Sequence, residues 1–109
     1  MSEQKSFEVA LAEYVANVQR ITDEYFTKNY SNLISDKIAV EKGGRKYIKI
    51  SQCTFGGEGS KSVHSFVNSE NGDVLKPAGW NAPAKHARGN IYKDGGVSAL
   101  SPRGNVLYL

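Results

Sequence analysis

Apolar residues recur at positions 7, 11, 14, 18, 21 and 25 (Phe7, Leu11, Tyr14, Val18, Ile21 and Tyr25), alternately four and three apart. That is a helical period of roughly 3.5, and Ala10, Val15 and Phe26 widen the stripe. Ser6 can cap the start, and neither Gly nor Pro breaks the run before Asn29. The pattern predicts one helix over residues 6–28, roughly 34 Å long at 1.5 Å per residue. A domain of this size has a radius of gyration of roughly 13 Å, so the helix is about as long as the domain is wide. Part of the stripe must pack on the chain's own sheet. The remainder can meet the same helix of a second subunit, which makes residues 1–30 the expected oligomer interface.

Beyond the helix the period changes to two. Residues 37–42 alternate Ile38 and Val40 with polar positions, and Gly43-Gly44 is a two-residue hairpin signal. Residues 46–52 place Ile48 and Ile50 on one face, Tyr47 and Lys49 on the other. Residues 62–68 form another strand, with Val63 and Val67 opposite His64 and Phe66. Asn71-Gly72 turns the chain and residues 73–76 pair back. Pro77 ends that strand, Pro83 stiffens the path, and residues 84–88 are expected to form a single helical turn closed by Gly89. Short strands are expected near 90–92, 96–100 and 106–109, with a turn at 101–105. The fold class that follows is α+β: one long N-terminal helix packed on a small, bent antiparallel sheet, in a single domain spanning 1–109. The sheet occupies 36–109, and a basic, aromatic loop at 76–93 interrupts it.

Composition adds little, but the distribution of charge adds more. The chain of 109 residues is 39% apolar and 23% charged, which is ordinary for a folded domain. Its net charge of +3 divides unevenly, −2 over residues 1–28 and +5 over the rest. An anionic partner is therefore expected on the C-terminal three-quarters. Cys53 is the single cysteine, which excludes an intrachain disulfide and a cysteine-based zinc site and suits a reducing compartment. No apolar run approaches the roughly 20 residues that span a bilayer, and the N-terminus has no signal-peptide core. A cytoplasmic protein that does not engage membranes is expected.

From Lys76 to Lys93 there is no acidic residue, yet Lys76, Lys85, His86, Arg88 and Lys93 lie there with Trp80, the one tryptophan. Aromatic faces stack bases, and Arg and Lys take phosphate oxygens. Trp80, set between Gly79 and Asn81, is either a core residue or a stacking plate at a rim. Lys85 and Arg88 would share one face of a helical turn whose N-terminal amides favour an anion; the alternative is a solvated basic turn. Phe66 can stack a base beside Lys49 or belong to a satellite core. Arg20 and Glu24, four apart on the helix, are either a surface ion pair or part of a second site. His64 and His86 lack the clustered ligands of a metal site. No nucleophile, metalloprotease, phosphate-loop or dinucleotide fingerprint occurs, so neither an enzyme nor a cofactor is expected.

The run from Gly72 to Ile91, Gly-Asp-Val-Leu-Lys-Pro-Ala-Gly-Trp-Asn-Ala-Pro-Ala-Lys-His-Ala-Arg-Gly-Asn-Ile, resembles small proteins of tailed bacteriophages. So do the pieces Val-Gln-Arg-Ile-Thr-Asp-Glu-Tyr-Phe and Gly-Arg-Lys-Tyr-Ile-Lys-Ile. In size and in its long helix followed by a sheet, the chain also resembles the first family of Thoeris anti-defence proteins. Those are non-catalytic, oligomeric sponges for cyclic ADP-ribose isomers, and some hold cyclic oligonucleotides at a second site. The resemblance implies a phage protein acting in the host cytoplasm as a homo-oligomer. It implies ligand contacts from Phe66, Trp80, Lys85, His86, Arg88 and Asn90, with Arg20 and Glu24 at a second site between subunits. Two other classes fit the same residues: a small nucleic-acid-binding phage protein, and a protein-binding inhibitor of a host factor anchored by Trp80.

Overall fold

A computed structural model describes residues 6–30, 32–41, 46–79 and 83–100. Helix α1 spans Phe7–Asn29. Five strands follow: β1 Lys37–Val40, β2 Tyr47–Cys53, β3 Lys61–Asn68, β4 Asp73–Pro77 and β5 Pro83–Asn90. They form one antiparallel meander in the order β1-β2-β3-β4-β5, and α1 lies across one face. The architecture is α+β, as the change of hydrophobic period requires.

Ser6 caps α1 as its residue type suggests, its Oγ accepting from the Val9 N–H at 3.3 Å. Glu8 in the first turn and Lys28 in the last complement the helix dipole. The fully buried line on α1 is Ala10, Tyr14, Val18 and Thr22, stepping by four. Phe7, Leu11, Val15 and Ile21 form its half-buried shoulders against Ile38, Ile50, Val67, Val74 and Ile91 of the core. The 3.5-residue stripe thus fixes the buried side, while small Ala10 and polar Thr22 occupy its deepest line. Tyr25, with Phe26 and Tyr30, instead forms an aromatic group at the helix end, ring centroids 5.7–6.1 Å apart.

The strands predicted at 37–42, 46–52, 62–68 and 73–76 lie within a residue or two of β1 to β4. The Gly43-Gly44 turn falls outside the described residues, but its two strands pair antiparallel, Val40 opposite Ile50. Gly72 occupies the Asn71-Gly72 turn with φ +81, and a Cβ there would meet the Tyr92 ring at 2.7 Å. Strand β3 departs from simple alternation. Ile50 faces Ser65 and Ser51 faces Val63, so His64 is the extra residue of a bulge. The bulge buries both His64 and Ser65, and His64 is not the solvent-side neighbour of Phe66 that strict alternation predicts.

Two C-terminal expectations are corrected. Residues 84–88 are not a helical turn but part of β5, which pairs with β4 from Asp73↔Asn90 to Pro77↔Pro83. Five residues are too few to nucleate a stable helix, and the open edge of β4 offers their backbone groups partners. Pro83 suits the first position of an edge strand, where no N–H is needed. Residues 96–100 are not a strand either, since a 3-10 segment runs over Asp94–Ala99, kinked at Gly95 and Gly96. Asn90 closes β5 and residues 91–92 turn away, so no separate strand forms at 90–92. Gly96, at φ +80, lies flat on the Tyr14 ring, where a Cβ would overlap it. The expected turn at 101–105 and strand at 106–109 lie outside the described residues.

Tyr14 joins helix to sheet by a polar contact within the apolar core. It has no exposed surface, and its hydroxyl lies 2.7 Å from the Ser65 Oγ, itself 2.9 Å from His64 Nδ1. Burial pushes the Tyr14 phenol well above its ordinary value, only partly offset by the Ser65 hydrogen bond. Removing that hydroxyl in Tyr14→Phe strands Ser65, at an expected cost of about 1–3 kcal/mol in urea denaturation at neutral pH. The sign of the pH effect is fixed as well. The folded phenol stays protonated while an unfolded one ionises near about 10, so stability falls as pH rises above that value. Tyr14→Phe is expected to flatten that alkaline decline, measured as the urea midpoint against pH.

Candidate ligand-binding surface

The acid-free run folds into the β4–β5 hairpin. Pairing of Pro77 with Pro83 leaves residues 78–82 as the connection, and Lys76 and Lys85 come to the same end of the hairpin from the two strands. Lys85 is exposed on β5, which the sheet order makes an edge strand. Arg88 sits three residues further, in a bulge between Gly89, opposite Val74, and Ala87, opposite Leu75. It is half-buried and already engaged within the fold. Lys85 and Arg88 therefore share a strand rather than a turn of helix, and the helix N-terminal anion site expected there does not form. His86 lies on the same strand, its side chain outside the described residues, and Trp80 in the connection is likewise outside them.

Two expected contacts belong to the fold. Phe66 is only 3% exposed. It pairs with Lys49 on one side and Leu75 on the other, in a row on the sheet face opposite α1. Burial withdraws its ring from use as an open stacking plate, so of the two alternatives the satellite core holds. Asn90 is committed to the hairpin turn. Its Nδ2 donates to the Asn71 carbonyl at 2.8 Å and to Asp73 Oδ1 at 3.1 Å, while its Oδ1 accepts from the Tyr92 N–H at 2.9 Å. A ribose hydroxyl would have to displace one of these bonds.

On the helix, Arg20 and Glu24 pair at 3.2 Å and both are exposed. With Ala16, Asp23, Thr27 and Lys28 they border an open depression of about 610 Å³. The two residues singled out as a possible second site do line one surface feature. By itself their ion pair contributes only a few tenths of a kcal/mol, roughly, in solvent.

Sequence reading missed the Tyr14–Ser65–His64 chain, whose one signal was a His-Ser pair inside an apolar strand. A hydrogen-bonded serine and histidine invite comparison with a nucleophile and its base. Ser65, however, has no exposed surface and its hydroxyl is held by Tyr14, so a substrate has no approach to it. Cys53 is buried, its thiol donating to the Gly59 carbonyl at 3.3 Å. Glu41 is held below the usual carboxylate range by its hydrogen bond from Ser51 and then by Lys61. Among the described residues no three His, Cys, Asp or Glu side chains are grouped to hold a metal, and no helix is long and apolar enough to cross a membrane.

A family model described as a family of unknown function, DUF7717, matches residues 2–103. No curated protein and no solved structure matches the chain.

The geometry of Asn90 yields a direct expectation. Asn90→Ala removes three hydrogen bonds at one turn and is expected to lower stability by about 1–3 kcal/mol. A shift of the urea midpoint with unchanged slope is the readout.

Proposed function

This chain belongs to the DUF7717 family of unknown function, and we propose that it is a non-catalytic binding protein that captures a compact, anionic nucleotide signal. On this reading it is a phage-encoded homo-oligomer acting in the host cytoplasm. It holds a cyclic ADP-ribose isomer or a cyclic oligonucleotide and withholds it from host immunity. What supports the reading is the β4–β5 hairpin, which carries Lys76 and Lys85 at one end and Arg88 next to it without a compensating acid from 76 to 93. Cations held on a paired hairpin are positioned for phosphate oxygens at a lower entropic cost than cations on a free loop. The lone tryptophan in the hairpin connection supplies a planar face for a base. Sequestration needs affinity and no turnover, so it asks for no activated nucleophile.

Isothermal calorimetry of the full chain against cyclic ADP-ribose isomers and cyclic di- and trinucleotides tests this. Binding tighter than about 10 μM, roughly −7 kcal/mol, is expected for at least one of them. Lys85→Glu, at an exposed position, is expected to weaken it about tenfold or more by placing an acid beside the phosphate. Failure to bind any of these compounds sinks the reading. Steeply salt-dependent binding to single-stranded oligonucleotides in their place would make the same hairpin a nucleic-acid contact.

A further inference from the structure

The exposed large apolar side chains are not scattered. Among the described residues they are Val9, Tyr30, Leu33, Ile34, Val40 and Phe55. Val9 belongs to α1, Tyr30 caps its end, Leu33 and Ile34 form the connection to β1, and Val40 ends β1. Phe55 comes from the β2–β3 loop, but that loop is tied to the same connection: the Gly56 N–H donates to the Ser35 carbonyl at 3.2 Å. A Cβ on Gly56 would lie 3.0 Å from Ile34 Cγ2, so the loop and the connection touch. None of the six comes from β3, β4 or β5. Ile34 is 66% exposed and Phe55 61%, the latter held at φ +53, a left-handed conformation costly for a side chain of its size. The apolar flank and the basic hairpin are thus carried by opposite edges of the sheet, β1 and β5.

The same flank carries a groove. Leu11 and Val15 of α1 face Ile38 and Val40 of β1 across an open space of about 510 Å³, kept wide by the short side chains of Ala12 and Ala16. The groove lies along the N-terminal half of the helix, whereas Tyr30, Leu33 and Ile34 project beyond its C-terminal end. At Ala16 and Gln19 the groove meets the 610 Å³ depression that continues toward Lys28. One surface therefore carries both an apolar recess and apolar projections, at opposite ends of a single helix.

Two further observations identify the occupant. The first is charge. Along the outer side of α1 run Glu8, Arg20, Asp23, Glu24 and Lys28. A second α1 laid parallel would put Glu8, Arg20 and Lys28 against their own copies. Laid antiparallel, it brings Glu8 toward Lys28 of the other helix and Arg20 toward Asp23, and it opposes the two helix dipoles. The second observation concerns the edge of β1. The Gln19 side chain donates from Nε2 to the Asp36 carbonyl at 2.9 Å and accepts at Oε1 from the Ile38 N–H at 2.8 Å. It takes backbone bonds that an added strand would need, so an extended peptide cannot continue the sheet along that stretch. What docks here must do so through side chains.

We propose that this flank is the interface between two copies of the chain, packed antiparallel about a two-fold axis crossing α1 near Ala16 and Arg20. Tyr30 and Ile34 of each copy then enter the groove between α1 and β1 of the other, an isologous contact that buries both recesses at once. The proposal rests on the homo-oligomeric part of the function proposed above and is independent of its ligand. It also moves the interface from the periodic stripe, which is spent on the chain's own core, to the opposite side of the helix.

Sedimentation velocity of the full chain at micromolar concentration, without nucleotide, is the test. A species of twice the chain mass is expected. Val40→Lys and Ile34→Asp alter exposed side chains, so circular dichroism should remain that of the wild type while the dimer dissociates at least tenfold more readily. Lys85→Glu, on the other edge of the sheet, is expected to leave the mass unchanged. A wild-type chain that stays monomeric overturns the proposal, as do Val40→Lys and Ile34→Asp proteins that keep the wild-type dimer. The two readings fail separately: a dimer that binds no nucleotide refutes only the ligand, and a monomer that binds one refutes only this interface.

Discussion

The docking of α1 through Tyr14 is the constraint on which the rest of the architecture depends. A 23-residue helix is stable in a domain of this size only if one side is buried along its length. Tyr14 stands in the middle of that side, bonded through its hydroxyl to Ser65 on the central strand. Its ring rests on Gly96 of the 3-10 segment, whose missing side chain permits the approach. Next to it, the Asn17 amide donates to the Gly95 carbonyl at 3.1 Å. One turn of helix thereby fastens β3 and the segment after β5 together. The bulge at His64 follows from the same demand, since it turns Ser65 inward to satisfy a phenol that has no water.

That docking divides the molecule's chemistry. With the apolar side of α1 spent internally, its opposite side and the neighbouring β1 carry the leftover apolar surface, screened by a near-balance of acids and bases. At the far edge of the sheet, β5 carries cations with no acid among them. A helix-and-edge flank suited to a like-charged-neutral partner and a hairpin suited to an anion can act together without competing for space. The Gln19 amide, closing part of the β1 edge, keeps the first surface from recruiting strands indiscriminately.

What reads as one motif in the chain is divided by the fold. Lys76, Lys85 and Arg88 remain together because β4 and β5 are consecutive strands. Phe66 and Asn90, of equally suitable chemistry, are absorbed into packing and a turn. Phe66 is covered on the sheet face away from the helix, and Asn90 gives both ends of its amide to residues 71–73 and 92. Residue type signals what a side chain can bind, but solvent access decides whether it does.

The sequence by itself determined the helix and its cap at Ser6, the first four strands, the Asn71-Gly72 turn and the asymmetry of charge. Each depends on contacts between near neighbours, so a local period or a single residue's stereochemistry carries it. Only the tertiary structure decided that residues 83–90 are a strand, that 94–99 coil against α1, and that Tyr14, His64 and Ser65 meet in the interior. Those outcomes depend on partners far away in the chain: the open edge of β4 competes for the backbone of 83–90, and a buried hydroxyl demands an acceptor 51 residues distant. No window of neighbouring residues contains that competition, which is settled when the sheet closes beneath the helix.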